Sequence, residues 1–334
     1  MQTTQVDHSQ ITSLIVISTV LTSLSVILIV IRIWVRFFAL KKASLDDYMA
    51  IAALIFTIGY VIILYIDRVN GLGYPKEILS VEDMRTQLKL ALAIEIIYYF
   101  VITCVKSSIV FMYDRFAISV TFKRFCLYTN VFMAVLMVVY LVVVVRQCRP
   151  LEKAWDITRL APGSCIDITA FFYFSATINI ALDVWILVIP IPTLKNLHVS
   201  KRSRRGLFAI FGVGGFATTC SCARLYSIHT YTQTTDPFRH GVLVNLWSMV
   251  EINIAIWCAC APALKPVFSP RRFFSSKKSS EQNSPENSQP VNSKKGTHSS
   301  TSQSQSVPIH GSNPSSSPGG LPHDPEDIEL GLAR

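Results

Sequence analysis

The chain has 334 residues, of which 51% are hydrophobic and only 16% are charged. Soluble domains carry about 25% charged residues, so this composition argues against a water-soluble globular protein and indicates one surrounded by lipid. The net charge of +10 does not indicate nucleic-acid binding, because the basic residues lie between apolar stretches rather than on one face with interleaved aromatic residues.

Seven apolar stretches are long enough to cross a bilayer as helices, which takes about 20 residues each. A helix is the expected form because backbone amides in lipid must be paired within the segment. The first stretch exceeds a signal-peptide core and has no basic region before it, so it is predicted to be a span. We therefore predict an all-α protein, a seven-transmembrane helix bundle with spans at 11–38, 47–66, 88–113, 125–145, 168–192, 206–228 and 241–261.

The basic residues predict the orientation of this bundle. If the amino terminus is outside, the cytoplasmic segments hold roughly twice as many Lys and Arg residues as the outer segments, as the positive-inside rule requires. Residues 1–10 are then a short extracellular amino terminus, residues 11–268 the membrane domain, and residues 269–334 a cytoplasmic tail. The plasma membrane is the expected location.

The tail is rich in Ser, Asn, Gln and Pro and has almost no aliphatic residues between 275 and 320. Such a segment cannot bury enough apolar surface to fold, so it is predicted to be disordered. Phosphorylation of its serines would weaken the attraction of Lys277 and Lys278 to the anionic inner leaflet, whereas the simpler alternative is a plain solvated tail. A cytoplasmic signalling partner is expected at the inner loops and the tail.

Two cysteines stand apart from the others. Cys148 and Cys165 flank the predicted outer loop between the fourth and fifth spans, in a compartment where disulfides persist. A disulfide between them is one possibility and two free thiols are the other. The sequence has no CxxC and no Cys/His cluster, so no metal site is predicted.

Ionisable residues inside the predicted spans are the candidate functional residues, because they are costly in lipid and normally face the interior of a bundle. Their depths make Lys106 with Asp183 and Arg224 with Glu95 conceivable pairs. The candidates for a ligand site or polar network are Lys106, Asn179, Asp183, Arg224 and Glu251, with Asn245 and Asn253 as possible extensions. A ligand or ion cavity and structural contacts between helices remain alternative interpretations.

Two acidic residues begin the second span. Asp46 and Asp47 lie where carboxylates cap a helix and interact favourably with its dipole. They also lie near Arg32 and Arg36 in the sequence, so they are predicted to form either a helix cap or an inner clamp.

No catalytic site is predicted, since the chain has no GxSxG, HExxH, P-loop or GxGxxG motif. No cofactor is expected either. Retinal needs a lysine inside the bundle for its Schiff base, the last span has none, and Lys106 lies on the third span. Asp114 and Arg115, which end the third span, are similar to the acid–arginine pair of classical receptors or form an ordinary basic flank beside an acid.

The region 32–268 resembles the fungal rhodopsin-domain family of Pth-type receptor-like membrane proteins. The resemblance depends on the order and spacing of many residues rather than on one motif. They are Arg32, Arg36, Leu45, Asp46, Asp47, Tyr48, Gly71, Leu72, Gly73, Lys106, Ser107, Ser108, Phe111, Tyr113, Arg115, Cys148, Pro150, Trp155, Cys165, Asp167, Asn179, Asp183, Pro190, Pro192, Gly212, Gly215, Arg224, Trp247, Glu251, Pro262 and Pro266.

This resemblance implies a seven-helix membrane protein of fungal origin, receptor-like, with an unknown ligand and without retinal. The eight-cysteine extracellular module of some relatives is not expected here, which leaves the bundle and its outer loops for recognition. Our first hypothesis is a receptor for a small ligand. A transporter of a small solute or ion and a structural or scaffolding membrane protein are the alternatives.

Overall fold

The computed structural model describes residues 8–39, 41, 43–117, 119–157, 162–191, 201–234 and 237–264, with the side chains of 39, 116 and 201–211 left aside. The predicted tail and residues 192–200 of the loop after the fifth span lie outside these ranges.

Seven α-helices form most of the described chain. They are α1 (His8–Ile33), α2 (Leu45–Val69), α3 (Val81–Phe116), α4 (Val120–Arg146), α5 (Ile168–Val188), α6 (Lys201–Gln233) and α7 (Pro237–Leu264). A π-helical segment, Trp34–Ala39, continues α1. Between α4 and α5 lie β1 (Cys148–Arg149), a 3-10 helix (Leu151–Trp155) and β2 (Ser164–Cys165). The predicted mostly helical class is confirmed.

Six of these helices are long and apolar enough to cross a membrane: α1 with its π-helical extension, α2, α3, α4, α5 and α7. The predicted sixth span, 206–228, lies within α6, which has 33 residues and is therefore long enough. Its described part is rich in Gly, Thr, Ser and Cys, contains Arg224, and is less apolar than the other six helices. Six spans are therefore supported within the described ranges.

The helices pack as a bundle around α7. This helix contacts α1, α2, α3 and α6, and it is the most buried of the six apolar helices. The outer faces of α1 and α4 instead expose Val20, Ile27, Val131 and Val138, each more than half exposed. Apolar side chains on the surface of a membrane protein contact lipid tails, so these faces mark the lipid boundary.

One end of the bundle is covered by the α4–α5 loop, and we call it the disulfide end. The structure joins Cys148 to Cys165 by a disulfide, and β1 pairs antiparallel with β2 at the same two residues. Gly163 adopts φ +144°, and a Cβ there would collide with the Arg149 carbonyl oxygen. Only glycine fits this turn without strain. The turn and the disulfide together hold the loop as a short cross-linked segment at this end of the bundle.

The opposite end is held by Arg32, which is only 1% exposed. Its Nε donates to Asp47 Oδ1 (2.9 Å), and its Nη2 donates to Asp46 Oδ2 (2.8 Å). Its Nη1 donates to the Ala259 carbonyl oxygen (2.6 Å). These four residues, which we call the Arg32 clamp, join α1, the start of α2 and the end of α7. A guanidinium suits this position because its donors diverge in one plane.

Further contacts extend the clamp. The Ser44 backbone amide donates to Asp47 Oδ2 (3.2 Å), so Asp47 caps α2 as well as pairing with Arg32. Arg36 Nη2 lies 3.6 Å from Asp46 Oδ2, and Ser108 on α3 donates to the Asp46 carbonyl oxygen (2.7 Å). The cap and the clamp, alternatives in the sequence, are therefore both present.

Replacing Arg32 by glutamine is expected to destabilise the protein by about 3–5 kcal/mol, because it leaves two buried carboxylates without their closest cation. Unfolding is measured in detergent by the reaction of a thiol dye with buried cysteines such as Cys126 and Cys220. The exposed Arg85→Gln change is the matched control and should leave the transition unchanged. Equal transitions for the two variants would contradict a stabilising clamp.

Candidate functional site

A lysine lies in the interior of the bundle with all its donors used. Lys106 on α3 is 3% exposed, and its Nζ lies 2.9 Å from Asp183 Oδ1. The same ammonium donates to Asn179 Oδ1 (2.6 Å) and to the Asn179 carbonyl oxygen (2.8 Å). An ammonium has three hydrogens, so these three acceptors account for all of them. The structure thus brings together the Lys106–Asp183 pair that the sequence suggested.

A buried glutamate forms the second centre. Glu251 on α7 is 1% exposed, and its Oε1 accepts from Asn179 Nδ2 (2.6 Å). Its Oε2 accepts from the Tyr98 hydroxyl (3.1 Å) and lies 3.1 Å from Arg224 Nε. Asn179 therefore links the two centres, because its side chain binds Lys106 through oxygen and Glu251 through nitrogen.

The Ser221 hydroxyl lies between the two carboxylates. Its oxygen is 2.8 Å from Asp183 Oδ2 and 2.7 Å from Glu251 Oε1. A hydroxyl has one hydrogen, so it donates to one carboxylate at a time. The arrangement has two hydrogen-bonded states of similar geometry.

The predicted pairing of Arg224 with Glu95 is wrong. Arg224 pairs with Glu251 instead, whereas Glu95 accepts a long hydrogen bond from the Tyr99 hydroxyl (3.4 Å). The reason is that α6 packs directly along α7, which brings its arginine to the glutamate of that helix. The position of a residue along its helix gives the depth of its side chain in the bundle, but it does not tell which neighbouring helix that side chain contacts.

The guanidinium of Arg224 has little hydrogen bonding of its own. It stacks on the Tyr98 ring, with its central carbon 4.2 Å from the ring centroid. Its Nε is close to Glu251 but not aligned for a hydrogen bond. Within the described residues it donates no hydrogen bond, although its side chain is only 9% exposed. Its charge is therefore offset by one carboxylate and one aromatic face.

The five candidate residues of the sequence thus form one connected group, the buried charge network of Lys106, Asn179, Asp183, Arg224 and Glu251. Two cations face two anions, so the network is neutral, as charges shielded from water require. Ser221 and Tyr98 belong to it too but were not predicted. Asn245 and Asn253 make separate contacts, with Tyr60 (2.9 Å) and Ser25 (2.6 Å) respectively.

A cavity of about 260 Å³ lies between the disulfide end and the network. Gln147 and Trp155 border it from the loop, and Arg224 and Tyr98 border it from the network side. Arg224 lies nine residues before the end of α6, which corresponds to about 13 Å of helix. The cavity therefore extends well into the bundle, and its floor is part of the network.

Removing one charge of the network is expected to be more harmful than removing a pair. Lys106→Met and Asp183→Asn should each destabilise the protein by about 3–5 kcal/mol, because each leaves a buried charge without its partner. The double variant should cost less than the sum of the two. Detergent-solubilised yield and unfolding temperature measure this, with the exposed Lys123→Met as control. Additive effects would mean that the two side chains do not interact.

Comparison with known proteins agrees with this architecture. Residues 31–270 match the fungal rhodopsin domain. The chain is 26% identical over 259 residues to Receptor GIN3 of Arthrobotrys oligospora, a match that covers 76% of this chain and 61% of that protein. It is 31% identical over 210 residues to a SAT4 family membrane protein of Emericella nidulans, covering 61% and 52% of the two chains.

Another relative is Satratoxin biosynthesis SC1 cluster protein 4 of Stachybotrys chartarum, 25% identical over 166 residues that cover 49% of this chain and 59% of that protein. The chain thus spans less than two thirds of the length of each of these relatives. No solved structure matches it. Because the family model covers most of the chain, the protein is a multi-pass membrane protein that belongs to the fungal rhodopsin domain family.

Proposed function

We propose that this protein is a receptor-like membrane protein whose cavity binds a small organic molecule. The observation that carries the proposal is that the cavity and the buried charge network share Arg224 and Tyr98. A molecule at the cavity floor therefore touches the same two side chains that hold Glu251. Binding in the cavity and the arrangement of the network are coupled by contact.

The network offers a route for this coupling toward the opposite end. A ligand that interacts with Arg224 weakens the ion pair between Arg224 and Glu251. This changes whether the Ser221 hydroxyl donates its hydrogen bond to Glu251 or to Asp183. Asp183 in turn is the ion-pair partner of Lys106. Such an element with two alternative arrangements is what a switch requires.

The names of the relatives support a role with small molecules. One is called a receptor, and others are named for the biosynthesis clusters of satratoxin, fugralins and wortmanamides. We propose no catalytic role, because the chain has no GxSxG, HExxH, P-loop or GxGxxG motif.

A transporter is the rival function, and the shape of the interior favours the receptor. Beyond the floor of the cavity, a space of about 20 Å³ lies beside Lys106 and Asn179. A solute would have to break the ion pairs of the network to pass. The geometry fits a molecule that binds and leaves on the same side.

We further propose that α6 is the seventh span. It packs between α5 and α7, and Ser221 and Arg224 on it contact the interior. Polar side chains that face the interior of a bundle are tolerated in a span, so Ser221 and Arg224 do not argue against a crossing. With seven spans, the basic residues and the disulfide favour an amino terminus and a disulfide end outside the plasma membrane, with the tail in the cytoplasm. The inner loops and tail would then meet a cytoplasmic signalling partner.

This orientation predicts which new cysteines react from outside. Glu77→Cys, in the exposed loop at the disulfide end, should react with a membrane-impermeant maleimide on intact protoplasts. Ser119→Cys, exposed at the opposite end, should react only after permeabilisation. The unmodified chain, with its own exposed Cys222, sets the background. The reverse pattern would place the disulfide end in the cytoplasm.

The receptor role predicts a response on the cytoplasmic side. A biotin ligase fused to the carboxyl end of the chain should label a different set of cytosolic proteins when cells receive a fungal culture extract. Arg224→Gln and the milder Tyr98→Phe should reduce this difference, because both weaken the link between cavity and network. Cell-surface amounts are measured in parallel, and Arg85→Gln is the control.

A different result would favour the rival function. If the labelled proteins never change with the extract while extract components accumulate inside vesicles that contain the purified protein, the protein is a transporter and the receptor role is wrong.

A further inference from the structure

We propose that the cavity takes an organic cation, a small and otherwise apolar molecule with a basic nitrogen that binds one of the two acids of its lining, Glu95 or Asp67. This inference rests on the proposed function, since it names the class of ligand for the same cavity. It follows from the two acids that line the cavity, from the unpaired oxygen of Asp67 and from the aromatic walls.

The charged groups that line the cavity do not balance. Arg224 is the basic residue that lines it, and Glu251 already offsets that charge from behind. Asp67 and Glu95 also line it, and neither has a cationic partner in the described part of the chain. The cavity therefore holds two acidic side chains without a cationic partner, and a cationic ligand would supply one.

Asp67 is the clearest sign of a missing partner. It lies in the last turns of α2, is 4% exposed and lines the cavity. Its Oδ1 is buried and accepts no hydrogen bond from any described residue. A buried polar atom without a partner is costly, so an unpaired acceptor on a residue that lines a cavity indicates a donor that arrives from outside the chain.

Glu95 has the same need deeper in the cavity. Its described hydrogen bond comes from the Tyr99 hydroxyl at 3.4 Å, a long distance that leaves the carboxylate capacity for further donors. It lies one helical turn from Tyr98, so it faces the space just above the cavity floor. An ammonium or amine N–H there would form a charge-assisted hydrogen bond.

The walls select an organic cation over a hydrated metal ion. Six of the aromatic side chains that line the cavity are Tyr98, Tyr99, Trp155, Phe172, Tyr231 and Phe238. Aromatic faces attract organic cations by their negative ring potential. In the described residues no cluster of His, Cys, Asp and Glu is suited to a metal ion.

The volume limits the size of the ligand. A water molecule takes about 30 Å³ of liquid, so a cavity of about 260 Å³ corresponds to about nine water molecules and suits a small organic molecule. An arylalkylamine is of this size. Its ring would lie among the aromatic walls and its nitrogen beside one of the two carboxylates.

A matched set of probes tests the sign of the charge. The full-length protein is placed in nanodiscs of uncharged phosphatidylcholine, and calorimetry measures the binding of 3-phenylpropylamine, 3-phenylpropanol and 3-phenylpropanoate, with empty nanodiscs as reference. The three probes share one body and differ in charge. The amine is expected to bind about tenfold tighter than the alcohol, the effect of one charge-assisted hydrogen bond, and the carboxylate should bind most weakly.

Two isosteric changes locate the nitrogen. Glu95→Gln or Asp67→Asn, whichever replaces the carboxylate that binds the nitrogen, should weaken the amine by about fivefold or more while the affinity for the alcohol stays the same, since each change removes a charge and keeps the shape. The unchanged alcohol also shows that the variant is folded. Glu77→Gln, an exposed acid away from the cavity, should bind all three probes like the parent chain.

The outcomes separate this inference from the proposed function. Equal binding of the three probes, tighter binding of the carboxylate, or amine binding that neither carboxamide variant reduces would overturn the cation assignment and leave the cavity as a ligand site. Absence of binding by all three probes would overturn the assignment too. The receptor role is decided separately, by the biotin-labelling response.

Discussion

Four ionisable side chains lie among helices that face hydrocarbon, and the protein tolerates them because they neutralise one another. Each of Lys106, Asp183, Arg224 and Glu251 alone would cost about 2.5–3.5 kcal/mol at the centre of a membrane helix. Their pairing requires α3, α5, α6 and α7 to present specific faces to one another. Helices in lipid gain no hydrophobic free energy from contact, so such polar contacts are what fix their rotation and level.

Helix α7 connects the buried charge network to the Arg32 clamp at the opposite end of the bundle. This helix carries Glu251, which meets the cavity floor through Arg224 and Tyr98, and Ala259, whose carbonyl oxygen binds Arg32. The two positions are eight residues apart, about 12 Å along the helix. A shift of α7 that accommodates a ligand therefore also moves an acceptor of the clamp, which holds the start of α2 against α1.

The sequence predicted what depends on lipid and left open what depends on helix rotation. The six apolar helices were predictable because a bilayer demands long apolar runs. The network residues stood out because charges are rare inside spans. The partner of Arg224 was missed because a position in the sequence gives the depth of a side chain in the membrane but not the helix that it contacts. Ser221 was missed because serine is common in membrane helices. The cavity was missed because it exists only once the helices are packed.

The 3-10 helix of the disulfide-linked loop places Trp155 at the border of the cavity, where Lys89 Nζ lies 5.4 Å from the centroid of its ring. The other four tryptophans do not line this space, and Trp34 and Trp185 face outward on the helices. An indole changes its emission when water around it is replaced by an apolar neighbour. The intrinsic fluorescence of Trp155 therefore reports whether the cavity is filled, without any attached dye.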